Sequence, residues 1–542
     1  MQRKKTETAK SLTVKQATFD LLRGLGIKKV FGNPGSTELP FLADWPDDID
    51  YVLGLQEASV VGMADGYAQA TRNAGFVNLH SAAGVGNALG NVFTAHRNQT
   101  PLVITAGQQA RGILPLQPFL YAERASEFPR PYVKFSVEPA RPEDVPAAIA
   151  RAYYVAMQPP CGPTFVSVPV DDWGHPALPI AARSVSREIG PDPQAMKTLA
   201  TALAASKHPA LVVGPAVDRA EAVALIVEVA EKTRASVWVS PFSARCSFPE
   251  RHPQFAGFLH ASPGQLSDAL KAHDLVVVIG APVFTFHVDG LAAIFDGAAT
   301  LFQITDDADA AAITPTGTSI IATVTPALSM LRDLLPATKR AAPAGRLLPG
   351  APQAADPIPV DVLLHTLSNA MPEHAALVEE APSHRPLMHK FMPMRGQDSF
   401  YTMASGGLGW SLPAAVGLSL GRPERRTVCL IGDGSAMYSI QALWTAAQRK
   451  LPLTVVVINN LGYGAMRSFS QVMQVRNVPG LELPGIDFVR MAEGMGCDAV
   501  RVARSSELAP ALARALAHPG ASLVEVMVDS AVPLLYAQAG RN

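Results

Sequence analysis

The amino-acid sequence predicts an α/β protein with mostly parallel sheets, and three observations carry that expectation. Helix-patterned and strand-patterned stretches alternate along the chain, the arrangement of a parallel sheet with crossover helices. Many of the strands are unbroken apolar runs, as strands covered on both faces must be. The length, 542 residues, provides for about three or four domains of roughly 100–200 residues each.

From the N-terminus, Thr13 is placed to cap a helix whose apolar residues Val14, Ala17, Leu21 and Leu22 share one face, and Gly24 and Gly26 end it. Residues 29–32 read as a short strand leading into the turn Asn33-Pro34-Gly35-Ser36. Further strands are expected at 51–55, 76–79, 102–105 and 164–168. A second block opens near residue 190, with apolar strands at 210–213, 236–239, 275–279 and 300–304. Residues 336–359 are rich in Pro, Ala and Gly and aperiodic, the composition of a surface linker. The third block has strands at 376–378, 427–431, 453–458 and 522–526, with helical stretches at 411–418 and 440–450.

Composition narrows the function. With 45 Lys+Arg against 46 Asp+Glu, the net charge of −1 speaks against a protein that coats nucleic acid or an anionic membrane. Hydrophobic residues make up 48% and charged residues only 17%, which predicts a large core and subunit interfaces rather than disorder. The four cysteines, Cys161, Cys246, Cys429 and Cys497, are too dispersed for a disulfide scaffold or a zinc site. No apolar segment follows the basic N-terminus, and the longest apolar run, 275–286, is too short to span a bilayer. A cytoplasmic protein with no membrane segment is expected.

The strongest chemical signal is Gly432-Asp433-Gly434-Ser435, between the strand 427–431 and the helical stretch 440–450. The next strand, 453–458, ends in Asn459-Asn460-Leu461-Gly462. Glycines at such a turn let backbone amides approach phosphate oxygens. Asp433, Asn460 and a backbone carbonyl offer hard oxygen ligands, which together with two phosphate oxygens suit octahedral Mg²⁺. The ends of parallel strands are where open α/β sheets bind ligands. Gly84-x-Gly86 invites a dinucleotide reading, but its third glycine is misplaced, at Gly90.

The diphosphate motif resembles that of the thiamine diphosphate enzymes, in which GDG precedes NN by about 24–27 residues; residues 435–458 supply that gap. The resemblance covers essentially the whole chain. It implies three doubly wound α/β domains: a pyrimidine-binding domain at 11–188, a central domain at 189–340, a linker at 341–357 and a diphosphate-binding domain at 358–542. It also implies thiamine diphosphate and Mg²⁺ as cofactors, with Asp433, Asn460 and Gly462 as metal ligands. Gly432, Gly434, Ser435, Ser383, Tyr463 and Gly464 would bind the cofactor, and the assembly would be a homodimer or homotetramer. Glu57, just after the strand 51–55, would face the aminopyrimidine. In Ser405-Gly406-Gly407-Leu408-Gly409, Leu408 would hold the cofactor bent and the Gly406 carbonyl would receive its amine.

Five local runs narrow the resemblance to the benzoylformate decarboxylase branch of the 2-keto acid decarboxylases: 32–41, 78–84, 280–284, 442–448 and 478–481. That branch gathers one Ser and two His from distant positions, matched by Ser36, His80 and His287. The implied activity is non-oxidative decarboxylation of an aromatic, benzoylformate-like 2-keto acid to the aldehyde and CO₂, with carboligation as a side activity. Ser36 would hold its carboxylate, and His80 and His287 would move protons, for which imidazole is suited. The pocket would be lined by Phe286, Pro382, Thr402, Ala465, Phe469 and Leu481. The run Glu379-Glu380-Ala381-Pro382-Ser383-His384 stands where that branch has a Thr/Ser-rich stretch, and Thr402 and Ser468 stand where it has aromatics. A different 2-keto acid, or an acyloin-forming carboligase, is therefore an alternative. FAD or NAD in the central block and a non-catalytic relative are the competing readings from other classes.

Overall fold

The computed structural model describes residues 12–289 and 299–535. Its described residues form two compact units. The first draws on residues 12–187, 405–423 and 439–449, and the second on 188–289, 299–404, 424–438 and 450–535.

In the first unit, Thr13 and Gln16 cap each other's backbone amides and start helix α1, Val14–Gly24. Six strands follow, β1 (Lys29–Gly32), β2 (Asp50–Leu53), β3 (Gly75–Leu79), β4 (Leu102–Gln108), β5 (Ser136–Val137) and β6 (Pro163–Pro169). They form one parallel sheet in the order β2-β1-β3-β4-β6-β5. Two helices leave the strand ends that matter below, α2 (Glu57–Thr71) after β2 and α3 (Ser81–Asn98) after β3.

Helix α4, Ser411–Gly421, lies backbone to backbone on α2. A Cβ on Gly417 would stand 1.9 Å from the Met63 carbonyl oxygen, and one on Gly66 would stand 2.0 Å from that of Ala414. Beside this contact the buried Asp65 accepts from Trp410 Nε1 at 2.7 Å and Gln69 Nε2 at 2.7 Å. Backbone cannot retreat as a flexible side chain can, so Gly417→Ala is expected to cost about 3 kcal/mol or more in unfolding free energy. Gly90→Ala on α3, where an added Cβ meets nothing within 4 Å, should be neutral or stabilise by about 0.5–1 kcal/mol. Denaturant unfolding of the two variants checks the contrast.

The second unit holds two further parallel sheets. The central one comprises β7 (Pro209–Val213), β8 (Ser236–Val239), β9 (Phe255–Phe258), β10 (Leu275–Ile279), β11 (Thr300–Thr305) and β12 (Thr318–Ile321). Its order is β9-β8-β7-β10-β11-β12, the doubly wound order of dinucleotide-binding folds. Its first turn, however, reads Gly214-Pro215-Ala216 and lacks a glycine-rich fingerprint. The other comprises β13 (Ala376–Glu380), β14 (Phe400–Thr402), β15 (Thr427–Gly432), β16 (Leu453–Asn459), β17 (Asp498–Val502) and β18 (Ser522–Met527). Its order, β14-β13-β15-β16-β18-β17, repeats the topology of the first sheet.

The expected strands appear within a few residues of their expected ends. Every pairing inside the three six-stranded sheets is parallel, and a short antiparallel pair, Leu12–Thr13 with Pro176–Ala177, leaves the sheets mostly parallel, as expected. The sequence pattern missed β5, β9, β12, β14 and β17, all of which sit at or beside a sheet edge. The helical stretch 440–450 shortens to Ala442–Gln448, and Gly84 and Gly86 fall inside α3 rather than in a loop. Residues 336–357 form no helix or strand, and Arg346 N bonds Phe255 O at 2.9 Å. No helix among the described residues is long and apolar enough to cross a membrane.

Candidate active site

The first unit brings Ser36, Glu57 and His80 to the C-terminal ends of three adjacent strands, β1, β2 and β3. Ser36 is exposed and begins a 3-10 turn, Ser36–Glu38, where the sequence suggested an open turn. Glu57 is the first residue of α2, and His80 directly precedes α3. The two flank Gly84: a Cβ there would stand 3.4 Å from Glu57 Cγ and 3.6 Å from His80 Cβ. The Glu57 carboxylate is half-buried and, among the described residues, held by two side-chain amides. Asn33 Nδ2 reaches Oε1 at 3.4 Å and Asn87 Nδ2 reaches Oε2 at 3.1 Å.

His80 is held more tightly, through a residue to which the sequence reading assigned no role. Its Nδ1 lies 2.9 Å from Glu38 Oε2 and 3.1 Å from Thr37 Oγ1. Glu38 is buried and collects three more donors: Gly35 N at 3.1 Å, Gly107 N at 2.9 Å and the Thr37 hydroxyl at 2.7 Å. Glu38 belongs to the run 32–41 that carried the resemblance, but nothing in its spacing announces a partner 42 residues away.

Gly406 and Leu408 precede α4, and Gly406 has φ +74° with open space over its Cα. Ser405 Oγ, 2.8 Å from Thr94 Oγ1, also accepts from Gly407 N at 3.0 Å and so fixes this turn.

In the second unit the diphosphate motif closes into a compact cluster. Asp433 starts a short helix, Asp433–Ala436, immediately after β15, so the motif itself turns helical before the stretch that the sequence marked. Gly434 N donates to Asp433 Oδ1 and Gly462 N to Oδ2, each at 2.8 Å, which ties the loop after β15 to the loop after β16. Burial pushes the Asp433 carboxyl up from its ordinary range, and these two amides and the Arg467 guanidinium pull it back in part. Arg467, which the sequence reading passed over, clasps the second loop by donating to the carbonyls of Asn460 at 3.0 Å and Leu461 at 2.8 Å.

The two asparagines of the motif separate in use. Asn459 is internal, donating to Glu525 at 2.7 Å and accepting from Leu461 N at 3.0 Å. Asn460 and Ser435, only 3% and 4% exposed, form no side-chain hydrogen bond with described residues. Buried polar side chains without protein partners are what a polar ligand satisfies. A Cβ on Gly464 would stand 2.6 Å from Asn460 Nδ2 and 2.8 Å from Ser383 Oγ, and one on Gly434 would stand 2.5 Å from Tyr463 Cε1. Tyr463 N in turn bonds Leu481 O at 2.9 Å. Ser383, Gly434, Asn460, Gly462, Tyr463, Gly464 and Leu481 therefore gather around Asp433, with Gly432 at the strand end. The donor set suits thiamine diphosphate and a hard cation: one carboxylate, one unpartnered amide, a backbone carbonyl and small residues that leave room. No cluster of three or more His, Cys, Asp or Glu fit for a metal occurs among the described residues, so a cation here would need the diphosphate to complete its oxygen shell.

The exposed imidazole of His287 sits between two rings, 5.3 Å from Phe469 and 6.1 Å from Phe242, centre to centre. Ala465 and Phe469 share the helix Gly464–Val472. Phe286 is half-buried and packs on the core of the central sheet. Pro382 is half-buried in the loop after β13.

Two expected pocket positions are turned to internal work. Thr402 is buried, bonds the Glu379 carbonyl at 2.8 Å and receives Arg385 at 2.8 Å. Ser468 is spent on Pro533 O at 2.9 Å and Leu535 N at 2.7 Å. His384, next to Ser383, is buried, with no partner for either ring nitrogen among the described residues, and burial pushes its pKa down to about 4.

Comparison with known proteins agrees with this architecture. Three family models match in order: thiamine pyrophosphate enzyme, N-terminal TPP binding domain, over residues 12–124; the central domain over 196–331; and the C-terminal TPP binding domain over 381–526. The chain is 42% identical over 528 residues to a benzoylformate decarboxylase of Pseudomonas aeruginosa, covering 96% of this chain and 100% of the relative. It is similar to the crystal structure of benzoylformate decarboxylase from Polynucleobacter necessarius, with TM-score 0.94 and 43% identity over 96% of this chain and 100% of that one. It is also similar to a thiamine diphosphate-dependent 4-hydroxybenzoylformate decarboxylase of Rhodococcus jostii, with TM-score 0.92 and 41% identity over 96% and 99% of the two chains. On this full-length likeness the chain belongs to the thiamine pyrophosphate enzymes, among the benzoylformate decarboxylase-like 2-keto acid decarboxylases.

Proposed function

We propose that this enzyme decarboxylates an aromatic 2-keto acid of the benzoylformate type, without oxidation, to the aldehyde and CO₂, with Mg²⁺ holding the diphosphate of its cofactor. The carrying observation is the His287 imidazole between the rings of Phe242 and Phe469. It sets a proton carrier beside flat apolar surface, the surroundings an aryl keto acid requires. Relatives named for benzoylformate and 4-hydroxybenzoylformate support the same substrate class.

Thiamine diphosphate, when bound, supplies the nucleophilic carbon and the electron sink for the decarboxylation. Glu57 would hold and exchange a proton at the pyrimidine end of the cofactor, and Leu408 and the Gly406 carbonyl would hold that end in place. Gly432, Gly434, Ser435, Ser383, Tyr463 and Gly464 bind its diphosphate end. Asp433, Asn460 and the Gly462 carbonyl would ligate Mg²⁺. Ser36 binds the substrate carboxylate and orients the bond to be broken. His80 would hold a proton for the substrate's keto oxygen, and His287 would hold one for the carbon from which CO₂ departs. Phe286, Pro382, Thr402, Ala465, Phe469 and Leu481 shape the pocket or its supports. The same site would join two aldehydes as a side activity.

The working form is a cytoplasmic homodimer or homotetramer. Leu116 and Phe119, 78% and 88% exposed, are the kind of apolar surface that self-association covers.

A screen of CO₂ release with thiamine diphosphate and Mg²⁺ tests the reading, comparing benzoylformate, 4-hydroxybenzoylformate, phenylpyruvate, pyruvate and branched-chain 2-keto acids. The aryl glyoxylates should be turned over fastest. If no acid lost CO₂ faster than with the Glu57→Gln variant, the decarboxylase reading would be wrong.

A further inference from the structure

We infer that Glu38 is a positioning residue that fixes the tautomer of His80, leaving Nε2 as the only ring nitrogen able to exchange a proton with the substrate. For the use made of that proton, this rests on the decarboxylase reading above.

The hydrogen bonds run in one direction. Three donors already face the Glu38 oxygens: Gly35 N, Gly107 N and the Thr37 hydroxyl. The carboxylate is therefore an acceptor, and the His80 Nδ1 2.9 Å from its Oε2 must be the donor. Thr37 spends its one proton on Glu38 Oε1, so its oxygen, 3.1 Å from Nδ1, can only accept. With Nδ1 protonated, a neutral His80 carries its lone pair on Nε2, and a charged one carries its transferable proton there.

The backbone is shaped around this pair. A Cβ on Gly35 would stand 2.1 Å from His80 Nδ1, and one on Gly107 would stand 2.1 Å from Glu38 Oε1 and 2.3 Å from Thr37 Oγ1. Two backbone amides and two glycines converge on one buried carboxylate, whose fourth partner is the imidazole. A carboxylate whose sole task was to satisfy backbone amides would not need an imidazole packed against the Cα of Gly35.

The test is Glu38→Gln. Its amide must turn one NH₂ toward either Gly107 N or Gly35 N. Gly107 lies buried in β4, where an unpaired amide costs more. The NH₂ therefore faces Gly35 and His80 and forces the ring proton onto Nε2. Diethyl pyrocarbonate attacks only a nitrogen with a free lone pair. Carbethoxylation of His80 in the full chain, followed by peptide mass spectrometry against the exposed His208, should slow at least tenfold in E38Q. In steady-state decarboxylation E38Q should lower kcat at least tenfold, and adding it to His80→Ala should change nothing further.

His80 reactivity within twofold of wild type, or multiplying effects of E38Q and H80A, would overturn the inference. Should E38Q not fold, ¹⁵N-histidine spectra of the wild-type protein decide the same point, with the His80 signal assigned by its loss in H80A. A protonated Nδ1 is expected, and a bare Nδ1 overturns it. If the wild-type enzyme released no CO₂, the decarboxylase reading would fall, while the reactivity measurement would still decide the tautomer.

Discussion

Glu57→Gln is expected to lower kcat for decarboxylation by about 10²–10⁴-fold, the range general acid–base catalysis supplies, while leaving the fold intact. The half-buried Glu57 carboxylate has two partners, both amide donors, at 3.4 and 3.1 Å. A glutamine keeps the shape and the acceptor oxygen, and either asparagine can turn its own amide to accept from the new NH₂. The cost in stability should therefore stay within about 1 kcal/mol. What is lost is a group able to gain and release a proton at this spot. Steady-state CO₂ release, together with thermal unfolding, separates the two effects. Activity within tenfold of wild type would remove Glu57 from the proton chemistry.

Asp433→Asn should weaken binding of thiamine diphosphate with Mg²⁺ at least about 100-fold. Changing the outer partner of a metal ligand already costs 10–100-fold, and Asp433 is proposed as a direct ligand. Two causes act together. The amide has no charge to offer a hard cation, and its NH₂ must face either Gly434 N or Gly462 N, which now each donate to the carboxylate at 2.8 Å. Losing one of those bonds loosens the tie between the loops after β15 and β16, so Asn460 and Gly462 lose their placement as well. Calorimetric titration of cofactor-stripped protein would measure it, and wild-type affinity in the variant would refute the assignment.

The sequence marked Asp433 by its spacing from Asn460, and Glu57 only through the resemblance that this motif carries. A strand–turn–helix–strand pattern converts a spacing of some two dozen residues into adjacency at one sheet edge, since consecutive parallel strands pair. Gly432 sits opposite Ile458 in the register of β15 and β16, which brings Asp433 and the loop at Asn460 together. The central strands were legible because burial on both faces demands an unbroken apolar run, as in Leu275–Ile279. The missed strands had no such signature. Thr318–Ile321 and Asp498–Val502 expose part of their residues to solvent. Ser136–Val137 and Phe400–Thr402 are too short to show a period.

The sequence by itself determined the fold class and the diphosphate motif, and through the resemblance it pointed to Ser36, Glu57, His80 and His287 as candidates. Each of these depends on local pattern or on a contiguous run of residues. Only the tertiary structure decided what holds them. It alone separates the working use of Asn459 from the unpartnered Asn460, turns Thr402 and Ser468 inward, and sets Phe242 and Phe469 about His287. It also joins Glu38 to His80 across the pairing of β1 with β3. The physical reason is that a hydrogen bond or ring contact depends on side-chain atoms meeting within a few ångströms. Elements distant in sequence meet there only through sheet register and packing, which no local pattern encodes.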